Sequence, residues 1–234
     1  MRGMDLRSLY VTGTDTGIGK SVASAALLHA LRARGLSAVG MKPVASGCER
    51  TPGGWRNDDA RLLQAASDPR PGYADVNPYA LPNPLAPELA AADAGITLSL
   101  VPILAAHARL AAQADVVVVE GVGGWAAPLS ATLDQVDLVR ALDLPVLLVV
   151  GLRLGCINHA RLSARAIAAD GARLAGWIGN AIDPAMDRCD DILALLQARL
   201  PVPCWGRLPF ASVPDPPILA RHLALPDGVI RPAS

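Results

Sequence analysis

Aromatic residues are scarce: one Phe, three Tyr and four Trp occur among 234 residues. A function built on stacking exposed bases is therefore a poor explanation of this chain. No excess of charge of either sign exists, since Lys plus Arg and Asp plus Glu each total 21. No run of like charge occurs either, which argues against a nucleic-acid partner. Cysteine is sparse, and Cys48, Cys156, Cys189 and Cys204 are irregularly spaced with no Cys-x-x-Cys pair. Zinc-site spacing is absent, and free thiols suit a reducing cytoplasm. The start, Met1-Arg2-Gly3-Met4-Asp5, lacks an apolar signal core. Apolar runs such as Val116 to Val119 are far too short to cross a bilayer. The expectation is a cytoplasmic protein with no membrane or nucleic-acid partner.

What is abundant is small aliphatic residues. Apolar types make up 52 % of the chain, enough for a sizeable core in a single domain over residues 1–234. Strand-like runs are expected at 8–12, 37–42, 115–120, 145–150, 174–181 and 204–208. Helix-like runs are expected at 22–34, 58–66, 99–113, 132–143, 157–169 and 187–200. Gly35 is placed to stop the first helix, and Thr132 reads as the cap of the helix it opens. Residues 68–88, rich in Pro and Asn, read as loop with a few extended residues. The tail from Ser212 reads as loose surface packing, with disorder in its last few residues. Alternating β and α runs predict an α/β fold, a doubly wound and mostly parallel sheet with helices on both faces. Ligands then sit beyond the carboxyl ends of the strands.

The most informative stretch is Gly13-Thr14-Asp15-Thr16-Gly17-Ile18-Gly19-Lys20-Ser21. It joins the first strand to the first helix. Backbone N–H groups at such a helix start favour an anion. Lys20 would reach the outer phosphates of a nucleotide and the Ser21 hydroxyl would hold Mg²⁺. A lysine at a helix N-terminus opposes the helix dipole, so its position makes sense when an anion sits there. The usual pattern has four residues between the first glycine and Gly-Lys-Ser/Thr, whereas five intervene here, Thr14 to Ile18. An ordinary glycine turn with a solvated lysine is the alternative.

Other strand ends carry polar groups. Lys42 ends the second strand in Lys42-Pro43-Val44-Ala45-Ser46-Gly47. It is either a solvated edge residue or a second cation for a transferring phosphoryl group. Glu120 follows four valines and runs into Gly121-Val122-Gly123-Gly124. A buried carboxylate there needs compensation, which Mg²⁺ shared with ATP would supply; emergence at the surface is the alternative. Asp58 suits a capping role, leaving Asp59 free for the metal. The start of the helix at Cys156-Ile157-Asn158 is either a second anion site or a helix capped by Asn158. Asn180 lies near the end of the strand from Leu174.

Taken together these strings resemble the dethiobiotin synthetases, ATP-dependent enzymes of biotin synthesis. The resemblance rests on Val11 to Thr16 with Gly19-Lys20-Ser21, Lys42 to Gly47, Asn57 to Ala60, Val76-Asn77-Pro78-Tyr79, Val119-Glu120-Gly121 with Gly123-Gly124-Trp125, and Gly155 to Ala160. The five-residue glycine spacing is that family's own. The resemblance implies a P-loop fold and conversion of 7,8-diaminopelargonate, CO₂ and ATP to dethiobiotin, through a carbamate and a carbamic-phosphoric anhydride. It implies that Thr16, Gly17, Ile18, Gly19 and Lys20 wrap the phosphates, Gly17 by backbone alone because some members carry Glu there. Ser21, Asp59 and Glu120 would hold Mg²⁺, Lys20 and Lys42 would be catalytic, and Ser46 would touch the diamine. Gly121, Val122 and Gly123 would approach the nucleotide. Asn180, Ala181, Leu208, Pro209 and Phe210 would contact it at the adenine. Cys156, Ile157 and Asn158 would hold the substrate carboxylate across a homodimer interface. A P-loop ATPase switch of the partitioning type, without synthetase activity, is the competing class.

Overall fold

Strands that run apolar without alternation need cover on both faces, and the computed structural model, which describes residues 7–226, provides it. Six strands form one parallel sheet: β1 (Ser8–Gly13), β2 (Ala38–Met41), β3 (Val116–Gly124), β4 (Val146–Leu152), β5 (Leu174–Ala181) and β6 (Cys204–Leu208). Their order across the sheet is β6-β5-β4-β1-β3-β2. Around it lie α1 (Lys20–Arg32), α2 (Asp58–Ala66), α3 (Tyr73–Val76), α4 (Pro87–Asp93), α5 (Leu100–Ala111), α6 (Gln135–Ala141), α7 (Cys156–Ala169), α8 (Cys189–Arg199) and α9 (Pro216–Leu219).

Side-chain alternation divides the core. Leu9, Val11, Val116, Val118, Leu147 and Val149 pack with α1 and α2. Tyr10, Val117, Val119 and Val146 pack on the other side with α5 and α6. Leu148 and Val150 pack with α7 and α8. The sheet is thus doubly wound, as expected. The chain goes from β1 out to β2, returns to insert β3 between them, then crosses to β4 on the far side of β1. The reversal places a crevice at the carboxyl end of β1.

Several local expectations are corrected. The cap of α2 is Asn57, whose side chain accepts from the Ala60 N–H at 3.2 Å; Asp58 is already helical. The cap of α6 is Asp134, in a capping box with Asp137, and not Thr132. Helix α1 starts at Lys20, two residues before the expected Val22, which brings Lys20 and Ser21 into its first turn. Residues 68–88 contain α3, and Tyr79–Ala80 pairs in parallel with Val44–Ala45. Helix α4, opened by Pro87 in the first turn, was not anticipated. Nor were the two small antiparallel pairs, Glu49–Thr51 with Gly54–Arg56 and Pro128–Ser130 with Leu133–Asp134. The segment after Ser212 is not loose: it forms α9 and buries Leu219 and Leu225 in the cluster around α1. The expectations for Met1–Asp5 and for the last few residues fall outside the described residues. No helix among the described residues is long and apolar enough to cross a membrane.

Gly40 shows how closely β2 meets its helices. A Cβ there would lie 2.8 Å from Leu63 Cβ and 3.0 Å from Leu28 Cδ1. Gly40→Ala is expected to overpack this contact and cost about 1–3 kcal/mol. Urea unfolding measures it, and an unchanged midpoint would contradict the packing described.

Candidate functional site

The loop between β1 and α1 is built to receive an anion. Gly19, with φ of +78°, caps α1 in a conformation that suits glycine. No side chain caps the helix and no acid stands in its first turn, so its N–H groups remain open. The Asn180 amide at the end of β5 donates to the Ile18 carbonyl at 2.8 Å, bracing the loop from below. Lys20 is buried and folds back along the loop, its Nζ donating to the Asp15 carbonyl at 2.9 Å.

A second cation stands opposite. Lys42 directly follows β2, and Glu120 lies on the adjacent β3; both are buried. Their Nζ and Oε1 meet at 2.5 Å. Lys42 Nζ also contacts Asp59 Oδ2 at 3.1 Å and the Gly121 carbonyl at 3.3 Å. The Ser21 hydroxyl donates to the same Glu120 Oε1 at 2.7 Å. Glu120 thus does not emerge at the surface, and Lys42 already compensates its charge, where the sequence argument named only Mg²⁺. Its other oxygen, Oε2, is buried and accepts no hydrogen bond.

The charges tune one another. Burial works against the Lys42 ammonium, but Glu120 and then Asp59 outweigh it and hold its pKa above the ordinary lysine value. Burial likewise opposes ionisation of Asp59, yet Lys42, Ser21 and Lys20 together keep its pKa low. Lys20 goes the other way: burial, and then repulsion from Lys42, lower its pKa to about 8. Glu120 and Asp59 favour the charged form of both lysines, but the ion pairs they make here are with Lys42.

That space is a cavity of about 890 Å³. Thr16, Gly17, Gly19, Lys20 and Ser21 form one wall; Lys42, Ser46, Asn57 and Asp59 form another; Val122 and Gly123 close a side. The Ser46 hydroxyl oxygen is buried without a partner. Val22, Ala45, Leu62, Ala127 and the segment Pro84 to Pro87 complete the lining; no sequence argument singled these out for the site, although Ala45 lies inside a motif. Ile18 and Gly121 stand behind the wall. Ala181, Leu208, Pro209 and Phe210 lie at the carboxyl ends of β5 and β6, beside Asn180, which pairs in register with Leu208. The Leu208 side chain is in the core, while Pro209 and Phe210 are exposed. Cys156, Ile157 and Asn158 open α7 behind Gly155 and do not line this cavity.

Among the described residues no group of three or more His, Cys, Asp or Glu side chains could hold a metal. Mg²⁺ bound together with phosphates needs less: one or two carboxylates, with the remaining positions filled by phosphate and water. Ser21, Asp59 and Glu120, with one glutamate oxygen unpartnered, fit that smaller demand.

The AAA domain family model matches residues 7–217. The ATP-dependent dethiobiotin synthetase BioD of Xanthomonas oryzae pv. oryzae (strain PXO99A) is 69 % identical over 219 residues, covering 94 % of this chain and 98 % of that one. The chain belongs to the dethiobiotin synthetase family. The same enzyme of Xanthomonas campestris pv. campestris (strain 8004) is 68 % identical, with 96 % and 100 % covered. That of Xylella fastidiosa (strain 9a5c) is 66 % identical, with 88 % and 91 % covered. The protein is accordingly an ATP-dependent ligase of biotin biosynthesis, and the switch-protein reading loses its ground. Among solved structures, the signal recognition particle receptor FtsY from Elizabethkingia anophelis aligns with a TM-score of 0.50 at 16 % identity, over 95 % of this chain and 62 % of that one. That likeness is one of fold, a P-loop NTPase sheet.

The lowered pKa of Lys20 has a measurable consequence for this synthetase. Above about pH 8 much of Lys20 is neutral in the free protein. A polyphosphate favours its charged form, so ATP binding should take up a proton there and weaken as pH rises. Near about pH 6, where an ordinary lysine and this one are both fully charged, Lys20 should contribute no uptake. Calorimetry in buffers of different ionisation enthalpy reads this; absence of uptake above pH 8 would contradict it.

Proposed function

We propose that the protein carboxylates 7,8-diaminopelargonate with CO₂ and closes it to dethiobiotin, consuming ATP and releasing ADP and phosphate. The observation that carries this reading is the convergence of Lys20 and Lys42, from two different βα crossings, on one cavity beside Ser21, Asp59 and Glu120. Family membership supplies the reaction class; the cavity supplies a rationale for its chemistry.

One amine of the diamine takes up CO₂ as a carbamate and loses a proton. A carbamate oxygen then attacks the terminal phosphorus of ATP, and ADP departs. The second amine attacks the carbonyl carbon of the resulting anhydride, expelling phosphate and closing the cyclic urea. Attack by one anion on another gathers negative charge, and fixed cations facing that charge lower the barrier. Lys42 suits this role because Glu120 and Asp59 keep it protonated and immobile. Lys20 and the open N–H groups of α1 would cradle the phosphates, assisted by Thr16 to Gly19. Ser21, Asp59 and Glu120 would hold Mg²⁺, which when bound would draw off charge from the terminal phosphates. The unpartnered Ser46 hydroxyl would meet the diamine end. Holding both amines on one bound molecule makes ring closure unimolecular.

We further read Asn180, Ala181, Leu208, Pro209 and Phe210 as the adenine side, with Leu208 contributing backbone. Cys156, Ile157 and Asn158 stand apart from the cavity of their own chain, next to Leu154, which is 93 % exposed. This arrangement supports a homodimer in which each α7 start receives the substrate carboxylate of the partner's site. The unit would be one domain acting in the cytoplasm.

Lys42→Ala is expected to lower kcat by about 10²- to 10³-fold while changing the Kd for Mg-ATP only a few-fold. Steady-state turnover and calorimetry, run below the variant's unfolding midpoint, check this. Unchanged turnover would contradict the role given to Lys42.

A further inference from the structure

Lys42 lies one residue past the end of β2, where the main sheet no longer holds its backbone. Its surroundings show what replaces that support. The Lys42 N–H donates to the Val76 carbonyl at 2.7 Å. The Lys42 carbonyl accepts from Asn77 Nδ2, also at 2.7 Å. The same Nδ2 donates to the Tyr79 carbonyl at 3.1 Å. Two carbonyl acceptors on one side of the Asn77 amide require its NH₂ there, which turns Oδ1 the other way. Oδ1 accepts from the Tyr73 hydroxyl at 3.1 Å. That hydroxyl in turn accepts from the Asn57 N–H at 2.7 Å. Asn57 caps α2, and Asp59, the second residue of α2, is the one that pairs with Lys42.

The buried Asn77 amide is therefore a node, with both N–H donors and one lone pair of its oxygen engaged. It fixes the backbone of Lys42 directly. Through Tyr73 it fixes the helix start that carries the carboxylate partner of Lys42. We infer that Asn77 is a positioning residue, with Tyr73 as its relay, which sets where the Lys42 ammonium stands in the cavity. The inference deepens the proposed function and rests on the catalytic role of Lys42. Asn77 itself touches no reactant; it acts through Lys42. An error of about 1 Å in the placement of a reacting group can cost about 10²-fold in rate, so the node is worth a measurable share of turnover.

The test is a double-mutant cycle on the full-length enzyme with Mg-ATP, bicarbonate and the diamine. Tyr73→Phe removes only the relay hydroxyl from a half-buried ring and is chosen to preserve folding. Asn77→Leu removes the node itself. Each is measured in the wild type and in Lys42→Ala, with kcat, Mg-ATP Kd and thermal midpoint recorded. Both variants are expected to lower kcat, Tyr73→Phe by about tenfold and Asn77→Leu by about 10²-fold, with Kd for Mg-ATP changed less than about threefold. In the Lys42→Ala background both losses should largely disappear, leaving only the part that runs through Asp59, because effects routed through one group do not add. Losses that multiply in that background, or a Tyr73→Phe enzyme with wild-type kcat, would overturn the inference while leaving the catalytic reading intact. Full turnover in Lys42→Ala alone would overturn the catalytic reading and this inference together.

Discussion

At the carboxyl end of the sheet a lysine ammonium and a glutamate carboxylate, both shut off from water, meet at 2.5 Å. Such a pair contributes little net stability, because desolvation of two ions offsets most of their attraction. Its value lies in place and charge. Lys42 cannot leave without stranding Glu120, and burial alone would lower the pKa of Lys42, a shift that Glu120 and Asp59 reverse. A cation is thereby kept fixed and charged beside a cavity that already contains Lys20. The remaining features of the site, from the open helix start to the unpartnered Glu120 Oε2, are arranged around that fixed charge.

The fold makes this pair possible through strand order. Lys42 and Glu120 are 78 positions apart, and they meet because β3 inserts between β1 and β2. β2 and β3 run in parallel, with Met41 opposite Val119, so the next residue of each strand emerges at the same level. The glycine loop leaves β1 on the other side of β3, bringing Lys20 and Ser21 over the same spot. Alternation along β1, β3 and β4 buries both faces, and this rigid base holds Lys42, just past β2, and Glu120, within β3, in fixed places. Functions of this type need such placement, since preorganised charges need not rearrange as the reaction proceeds.

Local chemistry was legible in the sequence, and long-range pairing was not. Gly19-Lys20-Ser21 is read from consecutive residues, because the strand, turn and helix that define its geometry are its neighbours in the chain. The strands around Val116 and Val146 are likewise announced by their own composition. That Lys42 follows the end of β2 was also readable; Glu120 was read as a strand end as well, but β3 runs on to Gly124, and that the two bind each other was not readable, because it follows from the non-sequential order β1-β3-β2. The α2 cap was misplaced because Asn57, Asp58 and Asp59 are all good capping residues, and only the backbone turn chooses among them. Helix α4 was hidden by prolines at 82, 84 and 87, although Pro87 before Glu88 and an alanine run suits a first helical turn. Asn77 stood inside one of the motif strings, but its role was not legible, since Tyr73 and Tyr79 are near it in the chain while Lys42, the partner that gives the contact meaning, is 35 positions away. The segment after Ser212 was misjudged because its prolines suggested loose packing, whereas Leu219 and Leu225 anchor it to α1.

The account as a whole depends on two ammonium groups serving one phosphoryl group. A crystal structure with Mg²⁺ and a non-hydrolysable ATP analogue tests this directly. The account requires Lys20 Nζ and Lys42 Nζ both within hydrogen-bonding distance of the terminal phosphate oxygens, with Ser21, Asp59 and Glu120 around the metal. A nucleotide seated elsewhere, or a Lys42 that turns away from the phosphate in its presence, would contradict it.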